Sequence, residues 1–536
     1  MNLKRIIPFI SLIGALALLA ACGSSGDNSP TQATISGTVF AGPVNGATVK
    51  IKASLGNYST SVSTSPDGTF TAQVPASLLS QEIVLTATGG TYQDEATGSV
   101  TPLGSMTAHV APSSLASGGK IVIDPLSTIL QRMIASGKSR SDAENIFSAV
   151  FGFSPNTSVK PSFAGMSTAS TTEERLAGVR AAAFSQLCND LGIVAAKQHE
   201  LLFALADDLM DGSLDGKNGS TPVKTASNTE IPEDIQNQFA NALMTFHLDT
   251  TRNKSKLKAD QIGAPPFAAK AVTNNYLIEY IPVSQPRTGK SQFKLKVTNR
   301  SDNSLATGKT IQIRPYMYMS TKSHTTPIDS VVDNGDGTYS CTVYYVMSTA
   351  MNGMSMGVWE LKVTIDGEVA KFYPIVGMPM GNTALTKLSG VDDTITGMLG
   401  EEKRTWFLFY DDLTSSGMNH TFKLFLATKE MVKTGMGTMT SLTFPAVKVN
   451  DSLNDKNFDQ WIVNSIQIQA STNGTDWVTG NDLGNGHWSF SDLTGLTAGT
   501  QGTIRVRLTV NGETKTVDGT ASGIDYQTFT VTPGGM

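Results

Sequence analysis

The sequence predicts a multidomain, mainly β protein in which sandwiches flank a small α-helical bundle, and three observations lead there. Charged residues make up only 16% of the 536 positions while glycine occurs 50 times, a composition that suits many short strands joined by turns. Runs of period two with glycine-rich punctuation fill both flanks of the chain. Between them, over 121–255, the apolar spacing lengthens to nearly four. At roughly 100–200 residues per domain the chain should hold three or four. The net charge of -5 leaves no basic face for nucleic acid.

The N-terminus carries a compartment signal. Lys4 and Arg5 form a basic start, Ile6 to Leu19 an apolar run too short to cross a bilayer, and Leu19-Ala20-Ala21-Cys22 closes it. Those four residues resemble the lipobox of bacterial lipoproteins. The resemblance implies that 1–21 is a signal peptide and that Cys22 is the lipidated first residue of the mature chain. Several acyl chains at about 0.8 kcal/mol per buried CH₂ would hold the protein on a membrane without a spanning helix. Gly23, where an aspartate would favour inner-membrane retention, points to the outer membrane of a bacterial envelope. The small polar residues of 22–32 read as a flexible tether.

Residues 33–112 contain "TISGTVF", "ATVKIKAS", "GTFTAQV" and "EIVLTATG", strands of a small sandwich with a Pro66-Asp67-Gly68 turn. "ISGTVFAGPVNGATVKI" followed by "SPDGTF" resembles carboxypeptidase-regulatory-like, prealbumin-type modules, and this implies a structural stalk. In 121–255, Ser141-x-x-Glu144 and Thr171-x-x-Glu174 have capping-box spacing. Further helices are expected over Leu201 to Met210, stopped by Gly212, and over Ile235 to Phe246. Asp207, Asp208, Asp211 and Asp215 invite a calcium reading, but their spacing is not that of an EF-hand loop, and a helix end with turns also explains them. His199 and His247 lack acidic or cysteine partners at ligand spacing. With Cys22 lipidated, Cys188 and Cys341 remain, either as a bridge between domains or as two separate buried residues.

Strands return over 270–380. If consecutive strands reverse direction, every methionine-bearing tip falls at one end: Met317 and Met319 with His324, then Met347, Met351, Met354 and Met356, then Met378 and Met380. The "MYM" segment with its nearby histidine, the "DGTY" turn, the methionine loop and "GVWELKV" resemble the YtkA-like, FixH-related domain of exported bacterial proteins. The resemblance implies an immunoglobulin-like sandwich and, for some relatives, an association with copper. Met317, Met319, His324 and Met347 would be its family-type residues, and Met351, Met354 and Met356 are additional. Thioethers and imidazole suit Cu(I), loosely packed methionines suit a sandwich end, and an adaptable apolar patch suits a protein partner; all three readings stand at this point.

A last β region, 384–536, has strands at "RTWFLFY", "HTFKLFLA", "SIQIQAST", "GTIRVRLTVNG" and "YQTFTVT" and reads as one enlarged Ig-like sandwich or two small ones. Met418, His420, Met431, Met436 and Met439 repeat the methionine flavour at looser spacing. Trp477, His487 and Trp488 are candidates for stacking on a sugar, or inward-facing core aromatics. Gly353-Met354-Ser355-Met356-Gly357 matches a nucleophile elbow in letters only, because a strand pattern and not a helix follows Ser355. No nucleophile, base and oxyanion site assembles from the sequence. The expectation is a non-enzymatic, membrane-anchored binding or scaffold lipoprotein, and the alternative is a copper-handling one.

Overall fold

The structure, a computed structural model, describes residues 32–116, 120–165, 170–320, 323–397, 400–434 and 439–534. The expected signal peptide, Cys22 and the tether up to residue 31 lie outside the described residues. The chain is mainly β, with helices between two β regions, as the change of period predicts. No helix among the described residues is long and apolar enough to cross a membrane.

The first core draws on both sides of the period change. Thr48–Ala53 alternates exposed Thr48, Lys50 and Lys52 with buried Val49, Ile51 and Ala53, and it sits in a four-stranded sheet with Ser59–Ser63, Ile83–Thr88 and Ser105–Val110. Gln32–Val39 pairs antiparallel with Thr69–Pro75 and parallel with Ile121–Ile123, so a strand from beyond residue 112 completes the first module. Asp124 then caps the helix Pro125–Ala135, and Ser127 and Thr128 of that helix bond to Thr107. Val49 and Leu85 share one apolar cluster with Phe147, Phe184 and Phe239.

Thr171 and Glu174 form the expected capping box of Thr172–Asp190. The other expected box shifts: Ser139, not Ser141, caps Arg140–Phe151 by accepting from the Asp142 amide. That start puts Asp142 in the first turn, against the positive end of the helix dipole. Gly212 stops the Gln198–Asp208 helix and its last 3-10 turn in the left-handed region, at φ 96°.

A second core lies between two sheets. One holds Lys270–Val272, Tyr276–Pro282, Gly289–Asn299, Thr338–Tyr345 and Ile328–Asp333 in that order; the other holds Glu368–Phe372, Val358–Ile365, Ile311–Tyr318 and His324–Thr325. The second sheet continues into a hairpin from far down the chain, Met439–Thr443 and Glu430–Thr434, through a parallel bridge from His324 to Leu442. The helix Ile235–Leu248 packs Ala240 and Met244 on Val358 and Tyr373, and Asn237 Nδ2 donates to the Lys371 carbonyl at 2.9 Å.

Most of the remaining C-terminal strands make one sandwich, and Ser452–Asn454 with Gln460–Ile462 form a separate two-stranded hairpin. A sheet of Leu385–Thr396, Glu401–Ser416, Asn419–Thr428, His487–Leu493 and Asn481–Gly484 faces a second of Val478–Thr479, Ile466–Ser471, Gly502–Val510, Glu513–Thr514 and Gln527–Val531, with one core between them.

Candidate functional site

The methionine tips do meet at one end of the second sandwich. Strand register puts Tyr318 opposite Val358 and Gly289 opposite Tyr345 at this end, whereas Ile311–Ile365 and Asp333–Tyr339 pairs mark the other. The Thr349 amide donates to the Val376 carbonyl at 2.8 Å, joining the second tip to the third.

The seven sequence candidates separate into an inner and an outer set. Met317 stands opposite both His324 and Trp359 on neighbouring strands, so the three side chains form a row facing the core, and all are buried. His324 Nε2 lies 3.4 Å from Met347 Sδ, its Nδ1 lies 2.7 Å from the Thr325 carbonyl, and its ring meets Trp359 and Phe444 edge to face. Met319, Met347 and Met356 are half-buried against the same core. Met351 and Met354 point away, paired across the two-residue hairpin Ala350–Met351 and Met354–Ser355, and both are exposed. Met378 and Met380 are exposed beside them, and Ser348 Oγ lies 3.6 Å from Met378 Sδ.

The chemistry of the inner pair follows from hydrogen positions. A carbonyl cannot donate, so the short Nδ1 contact to Thr325 requires the proton on Nδ1. Burial holds the imidazole below its ordinary pKa, and Lys387 and Lys429 act in the same direction. The neutral ring therefore turns the Nε2 lone pair toward a thioether sulfur that has no proton to give. A buried imidazole nitrogen and a half-buried thioether sulfur, both acceptors, face each other, an arrangement a Cu(I) ion would relieve. The nearby lysines disfavour a divalent cation about twice as much as a monovalent one, since the repulsion scales with charge. Among the described residues no group of three or more His, Cys, Asp or Glu side chains is placed to hold a metal.

The remaining sequence candidates find structural partners. Asp208 accepts from the Asp215 and Gly216 amides and Asp211 from those of Ser213 and Gly219, so two of the four aspartates fix the turns after the helix, while Asp207 ties it to Arg132 of the helix Pro125–Ala135. Cys188 and Cys341 are free and lie in different cores, and burial pushes each thiol up to about 12. His199 and His247 lie on helices as expected, each with a buried Nδ1 that has no hydrogen-bond partner among the described residues. Ser355 precedes the strand Val358–Ile365 and sits in a hairpin whose Gly353 adopts φ 78°. A Cβ on Gly357 would collide with the Tyr318 carbonyl, so both glycines of the elbow-like pattern answer to the turn and the close approach.

The looser C-terminal methionine group does not assemble. Met418 is exposed at a hairpin tip, and His420 bonds Ser415 and the Leu496 carbonyl. Met431 is buried in the second core, and Met436 lies outside the described residues. Trp488 faces inward, His487 is held by Asp329 and Asp411, and Trp477 stands on an outer sheet face. Sequence reasoning missed Phe444 and Leu442, which cover His324. They arrive through a bridge spanning more than a hundred residues, for which local pattern carries no signal.

No family model and no curated protein matches the sequence. Among solved structures the chain is similar to the titin domains Z1Z2 in complex with telethonin, at 10% identity over 50% of this chain and 100% of that one, with a TM-score of 0.13. Invasin, a bacterial integrin-binding protein, matches at 9% identity over 94% of this chain and 79% of that one, with a TM-score of 0.15. Residues 217–571 of TarS from S. aureus match at 10% identity over 69% of this chain and 92% of that one, with a TM-score of 0.13.

Proposed function

We propose that the chain is a non-enzymatic binding and scaffold lipoprotein of a bacterial envelope, anchored through Cys22 and addressed to the outer membrane. The observation that supports it is how the folded parts interlock. A helix of the first core seats on the second sandwich, and the hairpin 430–443 extends that sandwich's outer sheet. An ion network joins the second and third sandwiches. Such a body would hold the exposed Met351, Met354, Met378 and Met380 in fixed relation at one tip, where a protein partner would dock. The YtkA-like and carboxypeptidase-regulatory-like resemblances support the same reading.

Two measurements test it. Fractionation of cells making the full chain should find it with membranes and find Cys22→Ser in the soluble fraction; equal pelleting of both overturns the anchor. A photocrosslinking residue in place of Met354 should capture an envelope component that the same residue in place of Asp336, at the opposite end, does not. Equal yields at the two ends overturn the docking tip.

A second reading, Cu(I) binding, is favoured by the unpartnered Nε2 of His324 facing Met347 Sδ. His324 and Met347 would hold the ion, with Met317, Met319 and Met356 packed around them, and would keep it in a neutral, buried N/S setting. Titration of the full chain with Cu(I) under reducing conditions should show one equivalent bound. His324→Ala or Met347→Leu should lose it, while a Met351→Leu/Met354→Leu double variant keeps it. Absence of stoichiometric binding, or loss on changing the outer pair alone, overturns this reading.

A further inference from the structure

We infer that the outer face of the C-terminal sandwich binds a polysaccharide bearing carboxylate sugars. Gly502–Val510 buries Ile504, Val506, Leu508 and Val510 and turns Thr503, Arg505, Arg507 and Thr509 outward. Register sets Arg507 opposite Gln469 and Arg505 opposite Ser471 on one neighbouring strand, with Thr528 opposite Arg505 on the other. Two aromatic rings flank this cationic strip. The Arg507 guanidinium lies 4.1 Å from the Trp477 ring centre, the Arg505 guanidinium 5.3 Å from that of Tyr526, and the two rings are 6.4 Å apart. All four side chains stay half-exposed on a sheet face.

The arginines have no counter-charge of their own. Arg507 Nε donates to Gln469 Oε1 at 2.8 Å and Arg505 Nη1 to the Asn473 carbonyl at 3.2 Å; among the described residues neither guanidinium forms an ion pair. The nearby Asp476 accepts from Asn473 instead. Two adjacent guanidiniums, each beside a ring and each held by one hydrogen bond, lose little entropy on meeting a planar carboxylate. Rings beside them offer the apolar C–H faces of a sugar a stacking surface, and Gln469, Thr479, Thr503 and Thr528 offer hydroxyl-compatible hydrogen bonds. A repeating polymer suits an open sheet face better than a closed pocket does, because contacts recur along it. Trp477 was one of three aromatics that suggested sugar stacking in the sequence, and it alone of the three stands on an open face.

Affinity electrophoresis of the full chain in gels containing polygalacturonate tests the inference. Retardation by polygalacturonate and not by neutral dextran is expected, weakening as salt rises. Arg505→Gln/Arg507→Gln should weaken it by at least about ten-fold, and Trp477→Ala should do the same with an unchanged melting temperature. If Trp477→Ala unfolds the protein, the arginine variant, which leaves the apolar core of the sandwich untouched, decides alone. No retardation, equal retardation by poly-aspartate, or retardation unchanged in the arginine variant overturns the site.

Discussion

At the residue scale, buried charge decides where the chain is fragile. Asp393 is buried between Arg404 and Lys515, both fully inaccessible, and also accepts from Trp406 Nε1 at 3.1 Å. Asp393→Ala would leave two buried cations short of a partner, and a loss of about 3–5 kcal/mol is expected in urea unfolding. Asp336→Ala, at an exposed turn, should shift the urea midpoint far less. Glu95 behaves oppositely. Burial pushes its carboxyl up to about 8, while its Oε1 accepts from the Ala164 amide at 3.0 Å. Because the folded value is the higher one, stability falls as pH rises from the unfolded value near 4.3 toward 8. Glu95→Gln keeps the acceptor without the charge, and it should stabilise the first core by about 2–4 kcal/mol at pH 7 and by little at pH 4, readable as a melting-temperature gain that grows with pH.

At the element scale, local rules reach as far as local contacts do. Removing the Ser139 side chain with alanine should destabilise by about 1 kcal/mol, whereas Ser141→Ala, at the second helical position and not at the cap, should stay within about 0.5 kcal/mol. Circular-dichroism melts of the two variants separate the caps. The strands of all three β regions were legible because each buries alternate residues, as Thr48–Ala53 and Gly502–Val510 do. The alternating direction of the strands, legible in the sequence, carries the methionine tips to one end. The inner and outer division of those methionines was not legible, since it depends on a two-residue hairpin at Asn352-Gly353 that turns Met351 and Met354 outward. Nor was the helix Pro125–Ala135 singled out, although Asp124 followed by proline and Ser127 is a helix-start signature. Trp477 and Trp488 differ in facing for a similar reason: register, not residue type, sets it.

At the scale of the whole molecule, one network ties the second and third sandwiches together. His487 Nε2 lies 2.8 Å from Asp329 and its Nδ1 3.4 Å from Asp411, which also takes Lys290 at 2.6 Å and the Tyr344 hydroxyl at 2.8 Å. Hydrogen bonds to Asp329 and Asp411 raise the imidazole to about 9. Burial alone would raise Asp411, but the bonds from His487, Lys290 and Tyr344 outweigh it and hold the carboxyl well below the usual range. A raised histidine value stabilises fully below the unfolded value near 6.5 and is lost as pH climbs through 9. The lowered carboxylate value contributes above about pH 4 and is lost in acid. The junction should therefore be tightest between about pH 4 and 6.5. His487→Gln should cost about 1–3 kcal/mol at pH 6 and much less at pH 9.5, checked by melting both proteins across that range. A cost that does not shrink with rising pH would mean the imidazole is not charged at the junction.

The hairpin 430–443 also sets an order of events during biogenesis. The second sandwich ends in sequence near residue 380, yet its outer sheet waits for Leu442 to meet His324. A chain emerging N-terminus first would close its first core early and then carry an unfinished sheet edge while the next sixty-odd residues appear. During that interval the two-residue strand His324–Thr325 is the open margin. The last edge to be closed is therefore the short segment that carries the histidine, and until Leu442 arrives that segment is the part of the folded chain left open to wrong pairing.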